Sequence, residues 1–248
     1  MSFSIDPKMA SILAEQITRQ FMDLICASTP MLSWLKSGSD RGEGGSAFLV
    51  RTPTGILGIT AKHVIDGFLI AQGNCPGLTA TLGGFNFDLS ERLIARGVNV
   101  DIATFRIYQS DLASIGFQPL NSAWPPEIPQ SKGIVLVAGW PGQERITGQK
   151  VTGGLYVVWG SAGVSEEQIT IKLEHQDAYS PLDNVPIPDQ GFKFGGISGG
   201  PVMMIDTDES RKNIKWRVAG IIAEGKSEYD YIVATRADVI QDDGKIAG

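Results

Sequence analysis

From residue 46 onward the chain alternates between short apolar runs and breaks that are rich in glycine and proline. Each run is rich in Val, Ile, Leu and aromatic residues and is bounded by turn residues, which is the pattern of a β-strand. Breaks that arrive this often are typical of β-barrels, so the sequence predicts an all-β fold. The predicted strands cover residues 47–50, 56–64, 78–82, 98–107, 134–138, 155–159, 169–173, 202–205, 216–222 and 231–235.

The densest break, residues 120–132, divides the β region into halves of similar length. It holds Trp124-Pro125-Pro126 and Pro129, and we interpret it as a connector between two β-barrels. A chain of 248 residues is long enough to bury a full core without disulfides or metals. We therefore predict one domain over residues 39–248, with a first barrel at 45–120, the connector at 120–133 and a second barrel at 134–236.

Helices are predicted only near the ends. In residues 7–27 apolar side chains recur at helical spacing, with Glu15, Arg19 and Asp23 between them. This N-terminal helix, in an extension over residues 1–38, either packs on the body of the protein or binds a regulatory partner. Residues 235–242 predict a short C-terminal helix.

Composition excludes several classes of function. The net charge of −6 offers no basic stripe for phosphates, so no nucleic-acid partner is expected. No run approaches the roughly 18 apolar residues of a membrane span. The charged N-terminus does not resemble a signal peptide, and we read Cys26 and Cys75 as free, mostly buried thiols. The expected location is cytoplasmic.

The chain has two histidines and two cysteines, without the spacing of metal ligands, so no metal or cofactor is predicted. Histidine chemistry must therefore use His63 or His175. Because His175 lies between Glu174 and Gln176 in a polar segment, it is expected to be solvated.

Three segments contain residues that together perform acyl transfer. They hold His63 after an apolar run, Asp101 before another, and Ser198 among glycines. A serine hydroxyl is a weak nucleophile until a neutral imidazole takes its proton, and a carboxylate orients that imidazole. Glycines let successive backbone N–H groups face a developing oxyanion. Each segment alone is common in a structural role, but the chain order His, Asp, Ser is that of chymotrypsin-type enzymes.

With these motifs the sequence resembles the trypsin-like (chymotrypsin-fold) serine peptidases, especially the bacterial HtrA-like branch, here without a PDZ-like extension. The similarity runs over residues 45–238. The matching segments are Thr60-Ala61-Lys62-His63, Asp101-Ile102-Ala103 and Gly196-Ile197-Ser198-Gly199-Gly200-Pro201, with softer matches at residues 45–50, 138–142 and 218–221.

The resemblance implies two six-stranded antiparallel β-barrels with an active site in the cleft between them. His63 and Asp101 would come from the first barrel and Ser198 from the second. The backbone N–H groups of Gly196 and Ser198 would form the oxyanion hole. The residues implied to bind substrate are Ala223, Glu224 and Gly225, through backbone pairing, and Phe192, near the base of the specificity pocket.

One residue departs from the family. Ile197 stands where secreted members carry an Asp that pairs with a new N-terminal amine, and isoleucine cannot form that ion pair. Either apolar packing holds Ile197, or the oxyanion loop stays unformed until something binds.

The segment 174–190 is long and proline-rich, and we expect it to shape or cover the substrate cleft. Because Phe192 carries no charge, a demand for Arg or Lys in the substrate has no direct support. The charged residues nearby are either solvated or reach the pocket; they are Asp177, Asp183, Asp189 and Lys193.

Together these features predict a serine endopeptidase that performs limited or regulated cleavage of protein or peptide substrates. Two alternatives stay open. One is a peptide-binding pseudoprotease with the same fold, and the other is an interaction module that works through the N-terminal helix.

Overall fold

The computed structural model describes residues 19–36, 42–142, 145–147, 151–166, 168–173, 180, 194–207, 214–226 and 231–247. In the first half, residues 19–27 form helix α1. The elements that follow are β1 (Met31–Trp34), β2 (Glu43–Ser46), β3 (Phe48–Thr52), β4 (Gly55–Thr60), α2 (Lys62–Asn74), β5 (Ala80–Leu82), β6 (Phe85–Phe87), α3 (Leu89–Arg92), β7 (Leu93–Arg96), β8 (Ala103–Ile107), a 3-10 turn (Gln109–Asp111), α4 (Leu112–Ile115) and β9 (Leu120–Asn121).

The second half is almost entirely β-structure. Its elements are β10 (Lys132–Gly139), β11 (Ile146–Thr147), β12 (Val151–Thr152), β13 (Tyr156–Val164), β14 (Ile169–Leu173), β15 (Pro201–Thr207), β16 (Ile214–Lys226), β17 (Tyr231–Arg236) and a 3-10 turn (Ala237–Val239).

Six strands of the second half close into a barrel in the order β10-β13-β14-β17-β16-β15. Neighbouring strands are antiparallel, and β10 pairs with β13 along its whole length, from Lys132 opposite Gly163 to Gly139 opposite Tyr156. Alternate side chains point inward, as the two-residue period of a strand requires. Val137, Val158 and Ile171 lie in this core. The predicted six-stranded barrel of the second half and the all-β class are confirmed.

The strands of the first half pair as two sheets rather than as one closed ring. One sheet has the order β2-β1-β5-β6, and the other has the order β7-β8-β4-β3-β9. A single core lies between them and includes Leu32, Leu49 and Phe105, all fully buried. Helix α2 adds its apolar side, including Phe68, to this core. The helix therefore covers apolar surface that another strand would cover in a ring.

Several predicted elements are wrong in extent or type. The strand predicted over 98–107 begins only at Ala103. The strand predicted over 56–64 ends at Thr60, and helix α2 begins at Lys62. The helix forms because it buries Val64, Ile65, Phe68 and Ala71, which lie on one helical face, and this burial outweighs the β propensity of the segment.

The predicted C-terminal helix is a single 3-10 turn. Strand β17 continues to Arg236, the turn Ala237–Val239 follows, and the chain then folds back through a turn that brings Ile246 opposite Ile240 in an antiparallel β-bridge. Of the predicted N-terminal helix, residues 19–27 are helical, and its earlier part lies outside the described residues.

Helix α1 packs where the two halves meet. Its residues Met22, Ile25 and Cys26 share one core cluster with Phe48 of the first half and Leu136 of the second. This packing favours the body-packed interpretation of the N-terminal helix. Between β9 and β10 the chain forms no helix or strand in residues 122–131, which is compatible with the predicted connector. Within the part of the chain that is described, no helix has the length and apolar character that a membrane crossing requires.

A matched pair of glycine substitutions tests the packing of the first half. A Cβ on Gly58 of β4 would lie 2.3 Å from the Phe105 ring, whereas a Cβ on Gly163 of β13 would meet nothing within 4 Å. We expect Gly58→Ala to destabilise the protein by about 1–3 kcal/mol through overpacking. Gly163→Ala should leave the urea midpoint unchanged or slightly raised, because it only restricts the unfolded chain. Equal effects of the two substitutions would contradict the described core.

Candidate active site

His63 and Asp101 meet because two neighbouring strands end side by side. Strand β4 ends at Thr60, and β8 begins directly opposite, at Ala103. The residues just after β4 and just before β8 therefore lie at the same edge of the sheet. His63 occupies the first turn of α2, and Asp101 lies two residues before β8.

The Asp101 carboxylate binds His63 through both of its oxygens. The backbone N–H of His63 donates to Oδ1 at 2.9 Å, and the ring Nδ1 lies 2.7 Å from Oδ2. A carboxylate that binds Nδ1–H fixes the tautomer in which Nε2 carries no proton. His63 can then accept a proton at Nε2.

Electrostatics reinforce this pair. The hydrogen bond that the His63 ring donates to Asp101 raises the pKa of His63 above its ordinary value. Burial opposes this rise in pKa, and the negative charges of Asp101, Asp66 and Glu224 add to it. Burial works against ionisation of Asp101, but the hydrogen bonds from the His63 side chain and backbone outweigh it and lower the pKa of that carboxyl. Asp101 is therefore ionised at neutral pH.

Ser198 lies in a tight loop that precedes β15, and only 8% of its surface is exposed. The loop touches the first half of the chain at the serine itself, since the Ser46 N–H donates to the Ser198 carbonyl at 2.8 Å. The next residue, Gly199, has φ +90°, and a Cβ there would lie 2.1 Å from the Thr60 hydroxyl. Because Thr60 ends the strand before His63, these contacts bring Ser198 beside the start of α2.

The structure therefore brings the three predicted residues to one region, with one hydrogen bond different from the expected pattern. The Ser198 hydroxyl donates to the Ala223 carbonyl at 3.0 Å. Among the contacts of the described residues, it makes no hydrogen bond to His63. Catalytic hydrogen bonds of free enzymes are often loose and tighten only when substrate binds.

Some N–H groups of the serine loop are paired and others are not. The N–H of Ile197 donates to Phe194, that of Gly199 to Ile222, and that of Gly200 to Ile197. The N–H groups of Gly195, Gly196 and Ser198 meet no acceptor within the described part of the chain. Gly196 and Ser198 are the groups that the sequence predicts for an oxyanion hole, and N–H donors without an acceptor are what such a site requires.

Ile197 is held by apolar packing. It is 3% exposed and belongs to the core of the second barrel, where it contacts Gly139. Of the two sequence-based alternatives, this burial supports apolar anchoring of the loop.

The predicted substrate-binding residues of β16 lie next to the serine. The pairing of β16 with β15 ends at Ile221 opposite Pro201, and Ala223 sits at an irregularity in the pairing with β17. Gly225 approaches the backbone of Phe194. Most of the segment 174–190 lies outside the described residues. The same holds for six residues that the sequence analysis named: Phe192, His175, Lys193, Asp177, Asp183 and Asp189.

Sequence reasoning missed two residues that shape this region. The Ser46 hydroxyl accepts a hydrogen bond from the Trp140 N–H at 2.9 Å, and the Ser46 carbonyl accepts one from the Thr60 hydroxyl at 2.7 Å. Arg145 donates to the carbonyl of Gly196 at 2.7 Å. These contacts have no sequence signature, because each joins a side chain to a backbone group that the fold brings near.

The His, Cys, Asp and Glu side chains of the described residues form no metal-binding cluster. Within the described residues, no three His, Cys, Asp or Glu side chains lie close enough to hold a metal ion. Cys26 and Cys75 are free, as predicted. Burial, with a smaller effect of Asp23, raises the pKa of Cys26 to about 12, so this thiol is not a nucleophile at neutral pH.

Solved structures with similar architecture include the active form of the Rv3671c protease from M. tuberculosis. The similarity covers 96% of this chain and 88% of that chain at 16% identity, with a TM-score of 0.52. The fold is chymotrypsin-like. The serine protease domain of the Sesbania mosaic virus polyprotein is 14% identical, and the similarity covers 85% of this chain and 88% of that chain with a TM-score of 0.47. Human heparin binding protein is 12% identical, and the similarity covers 87% of this chain and 88% of that chain with a TM-score of 0.49.

No family model and no curated protein matches the sequence. At 16% identity the likeness to the Rv3671c protease shows the chymotrypsin-like fold alone.

Titration of His63 by NMR tests the electrostatics of the pair. We expect its pKa to lie above 6.5 in the wild type and to fall in Asp101→Asn, which removes the largest upward cause. Glu224→Gln should lower it less, since that charge contributes least. His175 serves as an internal reference in the same spectra. An unchanged His63 titration in folded Asp101→Asn would contradict the described hydrogen bonds.

Proposed function

We propose that this chain is a serine endopeptidase that cleaves peptide bonds in protein substrates through an acyl-enzyme. The observation that carries the proposal is the doubly hydrogen-bonded pair of His63 and Asp101 beside a serine loop in which the N–H groups of Gly196 and Ser198 meet no acceptor among the described residues. This is the set of groups that an activated serine nucleophile requires. The likeness of the motifs to the bacterial HtrA-like branch is part of the same proposal.

In the first step Ser198 Oγ attacks the carbonyl carbon of the substrate peptide. A C–O bond forms, and Nε2 of His63 takes the hydroxyl proton. Asp101 stabilises the resulting imidazolium through Nδ1–H. The carbonyl oxygen becomes an oxyanion, which the N–H groups of Gly196 and Ser198 bind.

In the second step the C–N bond breaks. His63 gives its proton to the departing amine, and the acyl group stays on Ser198 as an ester. A water molecule, deprotonated by His63, then attacks the ester; the acid product leaves and the hydroxyl of Ser198 is restored. The chemistry needs no metal or organic cofactor.

The substrate backbone is proposed to pair with Ala223, Glu224 and Gly225. The pairing of β15 with β16 ends at Ile221, which supports this assignment because the following residues of β16 have an edge toward the serine loop. Strand addition at such an edge fixes an extended peptide through main-chain hydrogen bonds. Phe192 stays the proposed base of the specificity pocket.

Limited cleavage in the cytoplasm is the proposed biological setting. The two cysteines of the described chain are free, as a reducing compartment favours. In such a compartment an unrestricted peptidase would damage its surroundings. A regulatory partner that acts through the N-terminal helix is proposed on the same basis.

One observation favours the alternative of a peptide-binding pseudoprotease. The Ser198 hydroxyl is bound to the Ala223 carbonyl rather than to His63. A binding module would keep this arrangement when a peptide is bound, whereas an enzyme must turn the hydroxyl toward Nε2.

A fluorophosphonate probe separates the two functions. We expect the wild type to form a covalent adduct at Ser198, because phosphonylation requires an activated hydroxyl, and Ser198→Ala to form none. Ser165→Ala, a change at an exposed serine, is the matched control and should label like the wild type. Peptide binding without any adduct would support the pseudoprotease instead.

The pH dependence of labelling tests the role of His63. Because the base must be neutral, the rate should rise with pH around a midpoint above 6.5, in the direction of the raised His63 pKa. Asp101→Asn should reduce the rate by about 10⁴-fold, since the imidazole then loses its correct tautomer. A rate that does not respond to either pH or Asp101→Asn would exclude His63 as the base.

A further inference from the structure

A mostly buried arginine is attached to the serine loop and has no carboxylate partner among the described residues. Arg145 Nη1 donates to the Gly44 carbonyl at 2.7 Å, and Nη2 donates to the carbonyls of Trp140 at 3.0 Å and Gly196 at 2.7 Å. Its Nε is buried and meets no acceptor among the described residues. Burial lowers the pKa of Arg145 to about 10, so the guanidinium is still charged at neutral pH.

The three acceptors belong to three separate parts of the chain. Gly44 lies in β2 of the first half, Trp140 directly follows β10 of the second barrel, and Gly196 lies in the serine loop. A guanidinium presents several N–H donors in a rigid plane, so one side chain can bind carbonyls that converge from different directions. Arg145 therefore connects the serine loop to both halves at once.

The peptide group between Gly195 and Gly196 is held at its carbonyl. The Gly142 N–H donates to the Gly195 carbonyl at 2.7 Å. In a planar trans peptide the C=O and the N–H point to opposite sides, so the Gly196 N–H points away from Gly142. Gly196 has φ +94°, and a Cβ there would lie 2.5 Å from the Gly142 nitrogen. The direction of this N–H is thus set by Gly142, which binds the carbonyl of the same peptide group. Arg145 binds the carbonyl of the next peptide group, whose N–H is that of Ile197, and so fixes the backbone on the other side of Gly196.

We propose that Arg145 is the positioning residue of the oxyanion hole. It fixes the peptide group between Gly196 and Ile197. The two flanking peptide groups, which carry the N–H groups of Gly196 and Ser198, are thereby kept facing a tetrahedral intermediate. Ile197 carries no charge with which to anchor the loop, and Arg145 supplies a charged anchor one residue away. This inference rests on the proposed function, because it assigns a role within that site.

The test compares Arg145→Lys and Arg145→Gln with the wild type. Lysine keeps the charge but has one ammonium group in place of a planar fork, so it cannot reproduce three separated contacts. The matched control is Arg236→Lys. Arg236, like Arg145, donates to backbone carbonyls, those of Ser165 and Glu166, but it pairs with Asp238 instead of binding the serine loop.

Two readouts are measured on the full-length protein. The first is the rate of phosphonylation of Ser198, together with the split between kcat and KM on a peptide substrate. We expect both Arg145 variants to lose about 10²-fold in rate and kcat with little change in KM, as for removal of an oxyanion-hole donor. The second is hydrogen exchange over residues 194–200, which should become faster in the variants while exchange in β13 and β14 stays the same.

The outcomes separate this inference from the function it rests on. If the wild type labels at Ser198 and the Arg145 variants label equally fast with unchanged exchange, the positioning role is overturned and the peptidase stands. If the wild type does not label, the peptidase fails, and the exchange of residues 194–200 still decides whether Arg145 holds the loop. An equal loss in Arg236→Lys would reduce the effect to general destabilisation and overturn the proposal.

Discussion

The hydrogen bond from the Ser46 N–H to the Ser198 carbonyl is the contact on which the candidate site depends. It joins the first half of the chain to the second at the serine itself. Thr60 adds to it, because its hydroxyl donates to the Ser46 carbonyl and it ends the strand that leads to His63. The core that Phe48 and Leu136 share joins the two halves as a whole, and this junction sets where the serine loop lies relative to the His63–Asp101 pair.

Close approach of backbones at this junction explains the glycines around the serine. A Cβ on Gly199 would lie 2.1 Å from the Ser46 carbonyl oxygen, and one on Gly200 would lie 1.9 Å from the Ala138 carbonyl oxygen. Any side chain at either position would push the loop away from one half of the molecule. The glycine-rich segment is therefore required by packing as well as by the conformation of the oxyanion loop.

Much of the fold was predictable, since the strands of the second barrel contain short apolar runs bounded by turn residues. Residues 56–64 were not, because their β-type composition hides a helix whose buried face appears only in three dimensions. The pairing of the first half into two sheets has the same origin, as α2 occupies the side of the core. Local composition indicates the secondary-structure propensity of a segment, whereas helix α2 and the sheets of the first half depend on tertiary packing.

The same distinction applies to the site. The short motifs mark His63, Asp101 and Ser198, because each lies beside a strand end that fixes its position. The motifs do not reveal the Ser198–Ala223 hydrogen bond, which depends on the irregular pairing of β16. They also do not reveal Arg145, whose acceptors are backbone carbonyls and carry no sequence pattern.

Ile197 and Arg145 together explain how an uncharged residue can precede the serine. An ion pair at that position anchors a loop by attraction between two charges, and isoleucine replaces it with burial in the barrel core. Apolar packing is non-directional, so it fixes where the loop lies but not which way its peptide groups point. Hydrogen bonds from Arg145 and Gly142 supply that direction at the carbonyls of Gly196 and Gly195. Apolar packing thus sets the position of the loop, and hydrogen bonds set its orientation. Only the hydrogen bonds bear on the N–H groups that would bind an oxyanion.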